Sequence, residues 1–519
     1  MSRIFKSTAI VSSMTLISRL FGYLRDMVLA ITFGASGATD AFFVAFRIPN
    51  FLRRLFAEGA FSQAFVPVFA EYREKRGAAA LKDLVDHVSG ALTLVLFLVT
   101  AVGIIAAPVL ISIFAPGFQG DDGRHVLAAE MLRITFPYLL FISLTAMAGG
   151  ILNSLGRFAV PAFTPVFLNL SLIVAALYGA PYFSEPVVAL AWGVFAAGAI
   201  QLAFQIPFLM RHGLLPRPRW RRAHEGVKRI FRLMLPAIFG TSVVQINLLI
   251  DTLIASFLMA GSITWLYFSD RFVELPLALF GIAIATVILP RLSKEHAQSN
   301  RQGFSQTLDW ALRLAVLIAI PSALGLILLA TPILASLIQY REFLASDTHM
   351  AALSLMAYAA GLPGFMLIKI LAPGYFSRQD TKTPVKVAVI AMLANIILNI
   401  AIVVPWVMLG WAGPHAGLAL ATTLSAYLNA LLLFLGLRRS GILTLNPGWR
   451  SFLLRILTAN ALLVGLLLWM LPDVTLWSQW LAPQRLTQLL LLIAAGALTY
   501  ILALLALGLR PRQFLLSGE

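Results

Sequence analysis

The sequence predicts an all-α polytopic membrane protein with about 14 transmembrane helices. Hydrophobic residues make up 60% of its 519 positions and charged residues only 12%, whereas soluble domains are roughly 45–50% apolar. The mean hydropathy is +0.88, and apolar stretches of spanning length follow one another between charged or Gly/Pro-rich breaks. This composition excludes a soluble enzyme. The absence of cysteine from the sequence excludes disulfides, thiolate metal sites and a cysteine nucleophile.

The fourteen predicted spans alternate with short loops, and their bounds carry an error of about four residues. They lie near 8–33, 38–70, 84–115, 126–155, 158–182, 187–211, 229–259, 264–292, 307–339, 349–376, 384–407, 413–437, 450–472 and 486–509. Ser12, Ser13, Ser18 and Arg19 interrupt the first stretch, and no small-residue cleavage site follows it. We therefore expect a retained helix there rather than a signal peptide.

Basic residues are distributed very unequally between the two sides of the predicted membrane. The side with both termini and the even-numbered loops carries most of them, including a run over 217–222, whereas the opposite loops contain Arg124, Arg341 and Arg485. The positive-inside rule then predicts cytoplasmic termini and an even number of spans. Membrane topology accounts for much of the +17 charge. We interpret the 217–222 run as contacting anionic headgroups rather than nucleic acid.

The sequence also matches itself at a spacing near 223 residues. Pro67 and Pro290 both end a span before a charged loop, and Pro161 and Pro384 follow similar short basic segments. Such spacing predicts two parallel six-helix repeats that alternate access to a site between them, plus two extra C-terminal helices. The predicted domains are an N-terminal half over 1–222, a C-terminal half over 223–445 and the two added helices over 446–519, which could form a groove for a lipid tail.

Charged side chains inside predicted spans cost several kcal/mol each, so they are candidates for function. Cations outnumber carboxylates in the set considered, which comprises Arg19, Arg25, Arg47, Arg53, Arg54, Arg271 and Lys369 against Asp26, Asp40, Glu58, Asp251, Asp270 and Glu274. Guanidinium groups bind phosphate oxygens in a bidentate manner, which favours a carrier of a phosphorylated substrate over a cation pump. The alternative is that these charges pair internally and only fix helix packing.

Several segments carry a family resemblance. They are SRLFGYLRD at 18–26, ATDAF at 38–42, NFLRRLFAEGAFSQAFVP at 50–67, SDR at 269–271, LAPGYFSRQD at 371–380 and KTPVK at 382–386. Across essentially its whole length the chain resembles the bacterial MviN/MurJ-type lipid II flippases of the multidrug/oligosaccharidyl-lipid/polysaccharide exporter superfamily.

The resemblance implies a transporter, not an enzyme, that moves lipid II from the inner to the outer leaflet of the bacterial cytoplasmic membrane, driven by membrane potential. It implies a substrate-binding set of Arg19, Arg25, Arg53, Arg54 and Arg271. Gating or charge-partner roles then fall to Asp26, Asp40, Glu58, Asp270, Glu274 and Lys369. The implied partners are lipid II, membrane lipids and other cell-wall synthesis proteins, with no nucleic acid.

Some members of the family carry a sodium ion between spans seven, eleven and twelve. Asp251, Asn395, Asn399 and Thr422 are the candidate ligands here, and sodium is the one candidate cofactor. Sodium and related hard cations prefer more carboxylate than one aspartate supplies. The alternative is that both asparagines only join helices through hydrogen bonds.

Two other functions stay open from the sequence. One is export of another polyprenyl-linked saccharide by the same fold, and the other is a membrane enzyme that processes polyprenyl pyrophosphate. The enzyme is disfavoured because the seven histidines are scattered without metal-ligand spacing and the loops are too short for a catalytic domain.

Overall fold

The computed structural model describes the backbone of residues 3–55, 61–120, 123–220 and 224–510, and side chains over 13–55, 61–120, 123–220, 224–235 and 245–510. Every regular element in these ranges is helical, as the sequence predicts. The chain forms two compact units that divide after Thr264. The predicted repeat boundaries near 222 and 445 are a different division of the chain, and they stay predictions.

The first unit is a bundle of long helices interrupted by short ones. Its helices are α1 (Arg3–Phe33), α2 (Gly37–Arg53), α3 (Ser62–Lys75), α4 (Gly77–Ile105), α5 (Ala107–Phe114), α6 (Arg124–Thr135), α7 (Tyr138–Ser154), α8 (Ala159–Phe163), α9 (Pro165–Val174), α10 (Val188–Arg211) and α11 (Glu225–Ala255). Within this unit α1 packs on α8 and α9, α2 on α6 and α7, and α11 on α3 and α4. These contacts bring the charged faces of α1 and α2 against polar residues of their neighbours.

The boundary between the units lies inside α12, so the second unit begins at Trp265. Its helices are α12 (Ser262–Pro276), α13 (Ile282–Ala297), α14 (Arg301–Leu328), α15 (Ala330–Leu337), α16 (Ala345–Ala360), α17 (Leu362–Phe376), α18 (Lys382–Met408), α19 (His415–Arg439), α20 (Trp449–Met470), α21 (Val474–Gln479) and α22 (Ala482–Ala506). A π-helical turn over Leu277–Gly281 follows Pro276, where the sequence predicts a kink. The predicted break at Gly361 separates α16 from α17.

The added C-terminal helices join the second unit through an apolar core shared by α14, α15, α20, α21 and α22. At its edge the buried side chain of Arg485 donates hydrogen bonds to four backbone carbonyls. These belong to Ala335 at 2.9 Å, Gln339 at 3.0 Å, Trp480 at 2.9 Å and Ser478 at 3.1 Å. Because four carbonyl oxygens accept its hydrogen bonds, the permanently charged guanidinium of Arg485 can lie in an apolar environment.

Within the described ranges, eleven helical stretches are long and apolar enough to cross a membrane. They coincide with predicted spans three to six and eight to fourteen. The other three predicted spans correspond to α1, to α2 with α3, and to α11. A multi-pass membrane protein is thus confirmed, and the number fourteen stays a prediction.

Candidate substrate-binding and gating residues

Arg25 lies in a buried polar network between α1 and α9. Its Nε and Nη2 donate to Oδ1 of Asp26 at 2.9 and 2.6 Å, and its Nη1 donates to Oδ1 of Asn169 at 3.0 Å. The amide of Asn169 donates in turn to the Ser18 carbonyl at 3.1 Å. The guanidinium fork is therefore held in a fixed orientation by two acceptors.

The other predicted substrate-binding arginines of the first unit differ in their environment. Arg19 is exposed on α1, one turn and a half before Arg25. Arg53 and Arg54 are half-buried where α2 ends, and Arg53 Nε donates to Asn50 Oδ1 at 2.9 Å. Glu58, the predicted partner of Arg54, lies outside the described residues.

Asp40 is buried at the start of α2, and its carboxylate binds the first turn of α12. Oδ2 accepts the Gly261 amide at 2.8 Å, and Oδ1 accepts the amide and hydroxyl of Thr264 at 2.8 and 2.7 Å. The positive end of a helix stabilises such a carboxylate. Arg47, which the helical spacing places on the same stripe, instead donates to the hydroxyl of Thr252 on α11. The gating role of Asp40 stays a prediction.

In the second unit, Arg271 is half-buried on α12 beside Glu274, one of the predicted gating or charge-partner residues. Its Nη1 donates to Glu274 Oε2 at 2.8 Å, and its Nη2 donates to the Tyr267 hydroxyl at 3.2 Å. The guanidinium also lies 5.0 Å from the centre of the Tyr267 ring. Asp270 and Glu274 are exposed on one face of this helix, and Lys369 is exposed on α17.

Three of the four candidate sodium ligands lie together in the second unit. Asn399 donates to Asn395 Oδ1 at 2.9 Å, and Asn395 donates to the Thr422 hydroxyl at 3.3 Å. Both asparagine side chains are fully buried between α18 and α19. Asp251 belongs to the first unit. The three grouped side chains offer neutral oxygen atoms, which fit a sodium ion only in part because the carboxylate comes from elsewhere in the chain.

A groove of about 660 Å³ lies between α20 and α22. Its lining is almost entirely apolar and includes Gly465, Trp469 and Leu502. That this groove holds a lipid tail stays a prediction. A β-carbon added to Gly465 would meet no atom within 4 Å, so the groove is open at that point.

Sequence reasoning missed the uncharged partners of the charged residues. Asn169, Thr252 and Thr264 escaped notice because only charges inside spans were counted. An asparagine in the otherwise apolar span 158–182 was the available signal, since a polar amide there requires a partner. The Thr252 and Thr264 hydroxyls leave no such signal, because threonine is common in membrane helices.

Comparison with known proteins identifies the family. The sequence profile described as lipid II flippase MurJ matches residues 29–487. The chain is 48% identical to the probable lipid II flippase MurJ of Vibrio cholerae serotype O1, covering 100% of this chain and 98% of that protein. It is 45% identical to the lipid II flippase MurJ of Burkholderia cenocepacia, covering 90% of each.

Solved structures agree with this assignment. A lipid II flippase MurJ in an inward closed conformation superposes with a TM-score of 0.80 at 27% identity, covering 95% of this chain and 98% of that one. An inward-facing multidrug resistance MATE transporter of the MOP superfamily shares the fold, with a TM-score of 0.68 at 14% identity over 84% of this chain and 98% of that one. The chain belongs to the lipid II flippase MurJ family.

Proposed function

We propose that this protein moves lipid II from the inner to the outer leaflet of the bacterial cytoplasmic membrane by alternating access. The observation that carries the proposal is the 48% identity over the whole chain to a protein named a probable lipid II flippase. The unequal distribution of basic loop residues supports cytoplasmic termini. Lipid II would then enter from the cytoplasmic side, where it is made.

The arginines supply the chemistry that a pyrophosphate requires. Two phosphates present several anionic oxygens, and a guanidinium binds such oxygens through two parallel hydrogen bonds. Asp26 and Asn169 occupy the donors of Arg25, so an arriving phosphate would replace acceptors that are already oriented. After the phosphate is released, Asp26 would again accept the hydrogen bonds of Arg25. Exchange between an internal carboxylate and the substrate avoids leaving a buried charge without a partner at any step.

The polyprenyl tail would stay in an apolar environment during transport. The groove between α20 and α22 offers such a surface beside the bilayer. Because lipid chains and the groove lining are both apolar, a tail gains little by moving from lipid into protein. The groove would therefore guide the tail, and the arginines would provide most of the selectivity.

The driving force belongs to the same proposal. A charge that crosses the membrane field changes energy by about 2.3 kcal/mol per 100 mV. The membrane potential would act on the intramembrane cations Arg19 and Arg271. A sodium ion bound near Asn395, Asn399 and Thr422 is a further part of the proposal, supported by the hydrogen-bonded grouping of these three side chains.

Substitution of one arginine, compared with a matched control substitution, tests the function. Arg19 and Arg232 are both exposed on apolar helices, α1 and α11, so replacing either with alanine should leave folding intact. Cells depleted of the chromosomal protein would receive wild type, Arg19→Ala or Arg232→Ala, and lipid II accessible to a modifying enzyme added outside would be quantified. We expect wild type and Arg232→Ala to restore accessibility and Arg19→Ala to fail.

The outcomes separate the competing functions. If lipid II stays accessible after depletion while another polyprenyl-linked saccharide accumulates inside, the substrate is that saccharide. Release of phosphate from lipid II by the purified protein would instead indicate an enzyme. Equal rescue by Arg19→Ala and Arg232→Ala would remove Arg19 from the binding set and leave the transported substrate unchanged.

A further inference from the structure

Two histidines far apart in sequence meet around one aspartate in the first unit. Asp83 and His87 lie one turn apart near the start of α4, and His224 precedes α11, 141 positions after Asp83. His87 Nδ1 lies 3.2 Å from Asp83 Oδ1, and His224 Nε2 lies 3.2 Å from Asp83 Oδ2. The imidazole rings stack with centroids 4.7 Å apart and planes at 19°. One ligand atom from each residue lies within 4.8 Å of the other two.

We propose that Asp83, His87 and His224 form a binding site for a divalent transition metal ion of the Zn²⁺ type, which joins the start of α11 to α4. Imidazole nitrogen and carboxylate oxygen are the ligands that zinc prefers when cysteine is absent. Three protein ligands with a fourth position open to water form an established zinc arrangement. The ligand atoms need to approach by about 1 Å, since bonds of roughly 2.0–2.2 Å at tetrahedral angles bring ligands nearly 3.5 Å apart.

The site is accessible to an ion from water. The imidazoles are 9% and 11% exposed, whereas the Asp83 side chain is 48% exposed, which gives an ion a path from water. Two basic side chains close to these ligands have carboxylate partners of their own. Lys82 pairs with Asp86, and Arg76 pairs with Glu225 at 3.1 Å. The repulsion that these two side chains exert on an incoming cation is thereby reduced.

The proton positions show what metal binding would change. His224 Nδ1 accepts the Val227 amide at 3.4 Å, so the neutral ring carries its proton on Nε2, facing Asp83. His87 Nδ1 lies 2.8 Å from the Asp83 carbonyl as well as beside its carboxylate. A metal ion held by these nitrogens would displace the Nε2 proton of His224 and the Nδ1 proton that His87 donates to Asp83. Binding should therefore release protons.

The site would link two segments that are separated by a long stretch of the chain. The stretch between His87 and His224 includes most of the first unit, from α4 to α10. A bond across such a long loop restricts the unfolded chain strongly, and a ligand that binds only the folded state stabilises it by mass action. Zinc should consequently raise the thermal stability of the first unit.

Metal titration of the full-length protein tests the site. The protein would carry an affinity tag without histidine, be stripped of metal and be titrated with ZnCl₂, with Co²⁺ absorption as a spectroscopic probe of nitrogen and oxygen ligands. The test variants are His87→Gln, His224→Gln and Asp83→Asn. His296→Gln is the matched control, because His296 is exposed near the end of α13, in the second unit. Thermal unfolding without metal shows whether each variant is folded.

We expect one zinc ion per wild-type chain, a rise in melting temperature on binding, and visible cobalt bands typical of four-coordinate geometry. Each of the three test variants should bind at least tenfold more weakly, and His296→Gln should match wild type. Equal binding by wild type and the His87→Gln/His224→Gln double variant would overturn the proposal. So would the absence of any stoichiometric binding, which would leave Asp83 as the acceptor of two imidazole hydrogen bonds only.

Discussion

The Asp40 carboxylate accepts the Thr264 amide at 2.8 Å, although 224 positions separate the two residues. The contact joins the start of α2 to the first turn of α12. It satisfies amides at a helix N-terminus, which otherwise have no partner within the helix. Asp40 thus contributes to the packing of the first unit in addition to any part in gating.

Replacement of Asp40 by alanine should destabilise the protein. Two amides and a hydroxyl would lose their acceptor in a buried place, at a cost of roughly 1–3 kcal/mol. Thr264→Val removes one hydrogen bond and should cost about 1 kcal/mol. Thermal unfolding of the purified chain measures both effects. Thr286→Val is the control, because that hydroxyl bonds its own helix at an exposed position. An Asp40→Ala protein as stable as wild type would contradict the structural role.

Arg25→Lys should abolish most transport while leaving the protein folded. Lysine keeps the charge, yet its compact ammonium cannot reproduce the planar fork that reaches Asp26 and Asn169 together. Each hydrogen bond to the phosphate that lysine fails to make costs about 1.5–3 kcal/mol, which corresponds to a reduction of the transport rate by roughly tenfold or more. The measurement is lipid II accessibility in depleted cells, with Arg232→Lys as control. Wild-type transport by Arg25→Lys would exclude bidentate recognition at this residue.

The Asn169→Ala variant tests the effect of the orientation of Arg25 while its charge is kept. The variant loses the acceptor of Arg25 Nη1 and the donor to the Ser18 carbonyl, so we expect a stability loss of about 1–2 kcal/mol. Transport should fall less than in Arg25→Lys, because Asp26 still binds two nitrogens of the guanidinium. Asn153→Ala, at an exposed position of α7, controls for loss of an amide. Transport lower in Asn169→Ala than in Arg25→Lys would reverse this order of importance.

Glu274→Gln should change transport more than stability. The ion pair with Arg271 is 2.8 Å long but lies on an exposed face, and such pairs contribute about 0–1 kcal/mol. Removing the negative charge alters the charge that experiences the membrane field. Transport into proteoliposomes under imposed potassium diffusion potentials would measure the voltage dependence, with exposed Glu185→Gln as control. An unchanged voltage dependence would remove Glu274 from the gating set.

Asp380 gives a prediction about pH. Hydrogen bonds from the amide and hydroxyl of Thr383 hold the pKa of this carboxyl below its ordinary value of 3.8. Its stabilising contribution is therefore complete above about pH 4 and is lost as the pH falls through the lowered pKa. We expect Asp380→Asn to lower stability by at most about 1 kcal/mol equally at pH 7 and pH 5. The difference from wild type should shrink near pH 3, whereas a difference already shrinking between pH 7 and 5 would contradict the assigned cause.

The sequence predicted those features that depend on local chemistry. Apolar length identified helices, and glycine and proline located the break at Gly361 and the irregular turn after Pro276. Arg271 and Glu274, three positions apart on α12, also form an ion pair of the kind that helix geometry permits. Each of these follows from residues within two helical turns of one another, where helix geometry alone fixes the distance.

Partners across helices could not be predicted in the same way. Helical spacing puts Asp40 and Arg47 on one stripe, yet Asp40 binds backbone amides of residues 261–264 and Arg47 binds Thr252. Arg25, Asp40 and Arg47 have neutral partners outside their own helices. The ion pairs of Arg25 and Arg271 lie within single helices. Scanning for histidine spacing missed His87 and His224 because only the path of the chain through α5 to α10 brings them together.

The carbonyl-bound arginine of the last helix has a consequence for the order of membrane insertion. Two of the four acceptors of Arg485 belong to Ala335 and Gln339, which leave the ribosome about 150 residues earlier. Until those carbonyls have packed, the guanidinium gains most by remaining at the hydrated interface. The hairpin of α20 and α22 can therefore settle into its packed position only after α15 and the residues directly behind it are in place.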